Sequence, residues 1–443
     1  MKKLIISFTV VAALLFFCAP YYTGKIAEAE TLKLLDRINA SSGEYGLTQV
    51  LSYERRVRST NARYQYTPPV AFADRVKMFG DIIYACESQH GITGIDYICA
   101  LEGESAYATF ITENLDGVDP ISVFGSISLF GGITQSISLD EIKSLEVDGA
   151  TLNFPATLLS VFTDAKGSKF RINGNSDAFE MSGSGEKLSV GKMTIEGDFA
   201  QVIGSLFTGD MLINIDYFST SGAQSETSIK GLQVLSSAYD NGDTLSSKLL
   251  FSIDQMTTSD APVKSIESLK LGLKFQGLNK QSVIEYQEFS HQLQADTSAT
   301  VENSGAPQSE PSEPKDLMPI LEGMLKRGLE INANLNASLD GKPNSVNLDL
   351  KLVESISIEQ LSQFISAPDD ALSKLEVLLN ASLDKGLIDS QPLAAILVAR
   401  SPLVAAGTDN YALNLKLGSK IELNGKTISW VELQTLVFSS LPL

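Results

Sequence analysis

The chain has 443 residues, 43% of them apolar, and a formal net charge of −19. That is enough chain for two or more domains with cores of their own. Its acidic balance excludes a nucleic-acid binder and a broad electrostatic grip on anionic lipid, because both need extended Lys/Arg surfaces.

Lys2 and Lys3 precede a stretch without charge from Leu4 to Gly24, and Leu4–Ala19 is apolar almost throughout. Two lysines before an apolar run of about 20 residues predict a membrane anchor over residues 1–24, with the amino terminus in the cytoplasm and the body in the periplasm. Tyr21 and Tyr22 suit the headgroup layer, where an amphipathic ring meets both solvents. The alternative is a cleaved signal. Its small-residue pattern, Ala27-Glu28-Ala29, lies past Lys25 and far from the apolar core.

A helix is expected from Lys25 to about Asn39, with Ile26, Leu34, Leu35 and Ile38 on one face. A β-rich domain follows, placed at residues 25–294 together with that helix. Turns are read at Gly131-Gly132, Asp148-Gly149, Asn173-Gly174 and Asn241-Gly242. Between them apolar and polar residues alternate, as in Leu269, Leu271, Leu273 and Phe275, which predicts antiparallel sheet with one buried face. Cys86 and Cys99 are an even pair outside the anchor. A bridge between them would close a loop of about 14 residues, worth on the order of 3 kcal/mol; two buried thiols are the alternative.

Ser282 to about Gln294 reads as a helix capped by Ser282. Residues 295–315, with Pro307, Pro311 and Pro314 among serines and glutamates, read as a linker. Residues 316–443 then form a C-terminal α+β module. Asp316–Arg327 is expected to be helical. Ile331–Leu339 and Val346–Leu352 are expected to make a hairpin around Gly341–Asn344. Ser357 and Gln360 have the spacing of a capping box. A helix is expected from Asp369 through Leu383, and a turn at Asn424-Gly425. The sequence Leu-Asn-Ala-Ser-Leu-Asp occurs at Leu335–Asp340 and at Leu379–Asp384. With one copy in a strand and the other in a helix, the echo reads as chance. The expected class is therefore α+β: one membrane helix, an elongated, mainly antiparallel β-rich periplasmic body, and the C-terminal module.

The chain offers little chemistry. Its two histidines, His90 and His291, have no zinc spacing, and there is no Cys-x-x-Cys, nucleophile elbow or Walker loop. His90 reads as a surface turn residue and His291 as a helix residue. Ser182–Gly185 reads as a flexible turn, and Asp240–Asp243 as a hairpin turn without the spaced ligands of a calcium loop. No catalytic residue, metal ligand or cofactor site is assigned. Arg55, Arg56, Arg58 and Arg63 are a basic cluster in an acidic chain. On a strand, Arg56 and Arg58 share one face and Arg55 and Arg63 the other. The cluster contacts lipid headgroups or an acidic partner, or pairs with the chain's own carboxylates.

Two segments resemble the YdgA-like family, a bacterial envelope family of unknown function. The first is Tyr22-Thr23-Gly24-Lys25, then Tyr53-Glu54-Arg55 and Ser59–Tyr64; Arg56 stands where the family usually has glycine, and Arg58 where it has an aromatic. The second is Leu269–Gln294 with Tyr411–Leu417 and Leu423-Asn424-Gly425-Lys426. The middle, about Val70 to Ala261, has diverged. The resemblance implies an inner-membrane-anchored periplasmic protein and brings no catalytic residues. The expected function is a non-enzymatic scaffold or adaptor that binds another envelope protein, with a homodimer among the expected arrangements. Alternatives are a lipid-handling factor with an apolar groove and a hydrolase with a carboxylate site. No nucleic acid partner is expected.

Overall fold

The computed structural model describes residues 19–33, 35–36, 39, 47–67, 81–103, 106–147, 150–183, 185–203, 206–222, 225–259, 263–290, 317–363, 368–391, 395–396, 398 and 401–440. Among these, no helix is long and apolar enough to cross a membrane. Residues 1–18 of the anchor expected over residues 1–24, the linker at residues 295–315, His291 and the Asp148-Gly149 turn lie outside them, while residues 19–24 of that anchor are part of a described helix. Mainly antiparallel sheet with some helices is the observed class. Contacts divide the chain into two compact units. One comprises Met1–Ser184, Lys192–Gln201 and Gln294–Gly305; the other comprises Gly185–Gly191, Val202–Leu293 and Ala306–Leu443.

In chain order, a helix over residues 19–33 is followed by β1 (Leu47–Arg55), β2 (Ser59–Thr67), β3 (Ile82–His90), β4 (Gly94–Leu101), a helix at Ala106–Asn114, β5 (Ile121–Ser128), β6 (Ile133–Leu139), β7 (Ile142–Val147), β8 (Ala150–Phe154), β9 (Thr157–Thr163), β10 (Lys169–Ser176), β11 (Phe179–Gly183), β12 (Glu186–Val190) and β13 (Met193–Ile203), all but β12 lying wholly or mainly in the first unit. Its main sheet runs β1-β2-β3-β4-β5-β6-β9-β10-β13, every pair antiparallel. The strands β7, β8 and β11 pair beside it, and β12 belongs to the second unit. Asn39 guards the β1 edge. Its amide donates to the Thr48 carbonyl at 2.7 Å and accepts from the Thr48 N–H at 3.0 Å, occupying backbone groups that an edge strand otherwise leaves open.

The second unit continues with β14 (Leu206–Ser221), β15 (Glu226–Asp240), β16 (Thr244–Thr258), β17 (Ser265–Asn279), β18 (Glu330–Leu339), β19 (Lys342–Leu352), β20 (Leu375–Asp384), β21 (Ala405–Ala406), β22 (Asn410–Leu417), β23 (Ile421–Leu423) and β24 (Lys426–Ile428). These pair as an antiparallel meander, β12-β14-β15-β16-β17-β18-β19-β20-β22-β23-β24, with β21 also against β22. Since β17 pairs with β18, strands on either side of residues 295–315 lie in one sheet. The division between units falls near residues 185–201, where composition gives no break. Among the described residues, two buried clusters pack here: Leu329, Leu352, Ile356 and Leu375 in one, Leu372, Ile421 and Leu433 in the other.

Several local readings change. The stretch expected as one helix from Asp369 to Leu383 is a short helix, Pro368–Lys374, followed by β20. Leu375, Val377, Leu379, Ala381 and Leu383 also have period two, and pairing with β19 decides in its favour. Both copies of the hexapeptide are therefore strand, and they flank β19 on its two sides. Asn380 of the second copy joins a row, Asn334, Asn347, Asn380 and Asn414, in which each stands opposite the next. Asn173-Gly174 is not a turn but lies inside β10. Gly174 is needed because Ile195 and Leu159 crowd the place a Cβ would take. The hairpin turn after β18 is the two-residue Asp340-Gly341, with φ of 49° and 79°, rather than Gly341–Asn344; positive φ at both positions matches the twist of the strands. Asn424-Gly425 repeats it, with φ of 49° and 78°. The helix expected from Ser282 starts at residue 280. Asn279 caps it, accepting from the Ser282 N–H at 3.0 Å. The Ser357–Gln360 capping box is present on Ile358–Ser362.

A tyrosine-lined cavity under the N-terminal helix

Side chains opposite each other in an antiparallel sheet point to the same face. One row of the first unit runs Ala62, Cys86, Cys99, Val123, Ile137 and Leu159 across β2, β3, β4, β5, β6 and β9. A parallel row runs His90, Ile95, Ile127 and Ile133. The helix over residues 19–33 lies on this apolar face. Ala27 is 3% exposed and packs with Ile95, Ile127 and Ile133. Its small side chain lets the helix approach closely.

The helix is pinned at its start. The Thr23 hydroxyl donates to the Gly91 carbonyl at 3.0 Å. Gly24 meets the His90 ring where any larger residue would put its Cβ. Arg55 pairs with Glu28 at 2.9 Å and lies 4.8 Å from the centre of the Tyr21 ring. One and two turns after Ala27, Thr31 and Leu35 no longer fill the gap. A cavity of about 390 Å³ opens there, lined by Thr31 and Leu35 from the helix side and by Tyr53, Tyr64, Tyr84, Tyr97, Val123 and Ile137 among the sheet residues.

The tyrosines give the cavity its character. Burial pushes the Tyr84 and Tyr97 phenols up to about 12 and raises Tyr53 and Tyr64 as well. All four are neutral phenols at physiological pH, apolar in their rings and able to hydrogen-bond at their tips. Cys86 and Cys99, opposite each other on β3 and β4, are joined by a disulfide in the cavity wall.

His90 is buried, 6% exposed, not a surface residue. It closes β3 rather than standing in the turn, and the helix covers it. Its Nε2 is 2.8 Å from the Thr60 hydroxyl and its Nδ1 3.3 Å from the Val57 carbonyl. Burial lowers its pKa below the ordinary value.

The arginine cluster is divided. Arg55 and Arg63 do not share a face, because the β1–β2 turn intervenes. Arg55 faces the helix, while Arg63 lies on the other side of the sheet, 2.6 Å from Glu102. Arg56 and Arg58 are exposed in the turn. Gly24, Tyr53 and Arg55 meet around the helix start and the cavity wall. Lys25 and Glu54 are exposed beside them. Asn424 and Gly425 belong to the other unit, where Asn424 donates to the Leu403 carbonyl at 2.9 Å. At the Asp240–Asp243 turn, the Lys280 ammonium donates to both Asp240 oxygens and to the Gly242 carbonyl, each at 2.9 Å, which is where a calcium ion would need those acceptors. Among the described residues, no group of three His, Cys, Asp or Glu could hold a metal ion.

Sequence reading missed Tyr84 and Tyr97, and took Tyr64 only as the end of the Ser59–Tyr64 family segment. A signal was present: Tyr84-x-Cys86 and Tyr97-x-Cys99 place each tyrosine on the same strand face as its cysteine.

In comparisons with known proteins, no curated protein and no solved structure matches the chain. A family match covers residues 1–395. It runs through the middle that the motif reading took as diverged, and it leaves Asn424 and Gly425 outside. The chain belongs to the family described as bacterial protein of unknown function (DUF945).

Proposed function

We propose that this is an envelope protein, anchored in the inner membrane by the apolar run Leu4–Ala19, that holds an apolar ligand of the acyl-chain kind in the periplasm. The cavity carries this reading. Its volume falls in the range of small-ligand sites, and its wall is apolar with a few phenol tips. A disulfide in that wall fits an oxidising compartment. Lys2 and Lys3 before the apolar run, and the YdgA-like motifs at the helix start, support the same address. The role is binding, with no catalytic step.

Native mass spectrometry of the full chain, released from detergent in the gas phase, tests the reading. The expected result is an acyl-bearing species in fixed ratio to the chain, lost in Thr31→Trp, which fills the cavity. A chain that carries no such species contradicts it.

The scaffold reading has its own motive. Ile98 and Phe124, directly opposite on the other face of the same sheet, are 59% and 38% exposed. A ligand-free chain that forms a homodimer or retains an envelope partner in the same spectrum would favour that reading instead.

A further inference from the structure

In the first unit, successive strands turn back at one end of the sheet through the β1–β2, β3–β4 and β5–β6 turns. Each turn exposes an apolar side chain: Val57 at 55%, Ile92 at 46% and Phe130 at 86%. Phe130 is the most exposed of the large apolar side chains described. Sequence neighbours do not explain this, because hairpin tips usually carry polar turn residues. The three turns are adjacent in space. The His90 N–H donates to the Arg58 carbonyl at 2.9 Å and the Leu129 N–H to the Thr93 carbonyl at 2.8 Å, linking each turn to the next.

The helix over residues 19–33 begins at this same end. Thr23 and Gly24 contact Gly91 and His90, so Tyr21 and Tyr22, 48% and 64% exposed, stand beside the turns. Ala19, where the apolar run of the sequence stops, is two residues away. Basic residues gather here in a chain of net charge −19, and the acids Glu28 and Glu30, the latter lying against Gly131, are paired with Arg55 at 2.9 Å and Lys33 at 2.8 Å. Arg56 and Arg58 flank Val57, Lys25 follows the tyrosines on the helix, and Lys166 sits on the next turn, where Ala165 approaches Gly131. Asp164 of that turn is engaged with its own loop, accepting from the Ser168 N–H at 2.6 Å.

We infer that this end of the unit rests in the headgroup layer of a bilayer containing anionic lipid, with Val57, Ile92 and Phe130 inserted as tips. Aromatic and apolar side chains beside arginines suit that layer, and a local basic patch gains from anionic headgroups where the whole acidic chain does not. Insertion of three neighbouring tips also fixes the unit's orientation, which a single membrane segment leaves free. The inference rests on the reading of Leu4–Ala19 as a membrane anchor.

Trp430 is the chain's single tryptophan, which makes a direct test possible. In a Trp430→Phe background, the full chain carries Phe130→Trp or Ile92→Trp, or Val118→Trp as control. Val118 is 67% exposed and precedes β5 at the opposite end of the sheet. Each variant is placed in nanodiscs of phosphatidylcholine and phosphatidylglycerol with brominated acyl chains. Emission at positions 92 and 130 is expected to fall by roughly half or more, as for side chains at the membrane interface, while position 118 is unaffected. Arg56→Glu with Arg58→Glu should weaken the quenching at 130, and nanodiscs without phosphatidylglycerol should do the same. A chain that stays with the lipid but shows no quenching at 92 and 130 overturns this inference alone. A chain that does not enter the discs overturns the anchor reading and this inference together.

Discussion

The two compact units solve one problem in different ways. Each is an antiparallel meander with one apolar face, and each must cover that face. The second unit covers parts of it with large aliphatic side chains, as where Ile356, 2% exposed, meets Leu329, Leu352 and Leu375. The first unit lays a helix across its sheet and brings Ala27 into contact, then continues with Thr31 and Leu35 over a space they do not fill. Small side chains set close approach at one end of the helix and leave room at the other. Under the function proposed above, a space so lined receives the ligand and the packed clusters of the second unit are support.

That contrast can be broken by mutation. The largest expected effect is in the filled core: Ile356→Ala should cost about 2–5 kcal/mol in urea unfolding, as a transfer loss plus a cavity. Replacing Cys86 and Cys99 together by serine should cost about 2–4 kcal/mol, and reductant should reproduce most of this in the wild type. Gly24→Leu should cost about 1–3 kcal/mol by forcing the helix start off the His90 ring, and protease cleavage within residues 19–33 should speed up. Over the cavity the effect should nearly vanish. Leu35→Ala should cost less than about 1 kcal/mol, since the space it would leave is already open.

His90 sharpens the comparison through pH. Burial lowers its folded pKa below the ordinary 6.5 of the unfolded chain. The unfolded state therefore takes up a proton before the folded state does. The stability contribution is complete above pH 6.5 and is lost as pH falls through the lower folded value. Charging His90 should loosen the helix start first. Hydrogen exchange of the Thr23–Ala27 amides should quicken at acid pH in the wild type, and His90→Gln should flatten that dependence.

Much of this fold was legible in the sequence. Alternation along β17 and β18 marked those strands, and Asn241-Gly242 and Asn424-Gly425 marked the β15–β16 and β23–β24 turns, because period two and positive-φ residues are local properties. Leu375–Asp384 was not legible as strand, because leucines at 375, 378, 379 and 383 suit a helix while those at 375, 379 and 383 also suit period two, and only the pairing with β19 decides. Asn173-Gly174 misled for a related reason: a glycine needed for close approach looks the same as a glycine needed for a turn. The cavity was less legible than the strands. Gly24, Tyr53, Arg55 and the cysteine pair were singled out, but the meeting of Gly24 with His90 joins residues far apart in the chain. Nor does any local pattern tell that Thr31 faces open space rather than a neighbour.

Under the proposed function, the space under the helix of the first unit, and not the sheet of the second, receives the apolar ligand. Photocrosslinking tests it most directly. The full chain is equilibrated with a diazirine-bearing fatty acid, irradiated, and digested, and the labelled peptides are identified by mass spectrometry. Label is expected on the strands that carry Tyr64, Tyr84, Tyr97 and Ile137 and on the helix segment with Thr31, with excess oleate suppressing it. Label confined to residues 206–440, or label on the first unit that oleate does not displace, would contradict it.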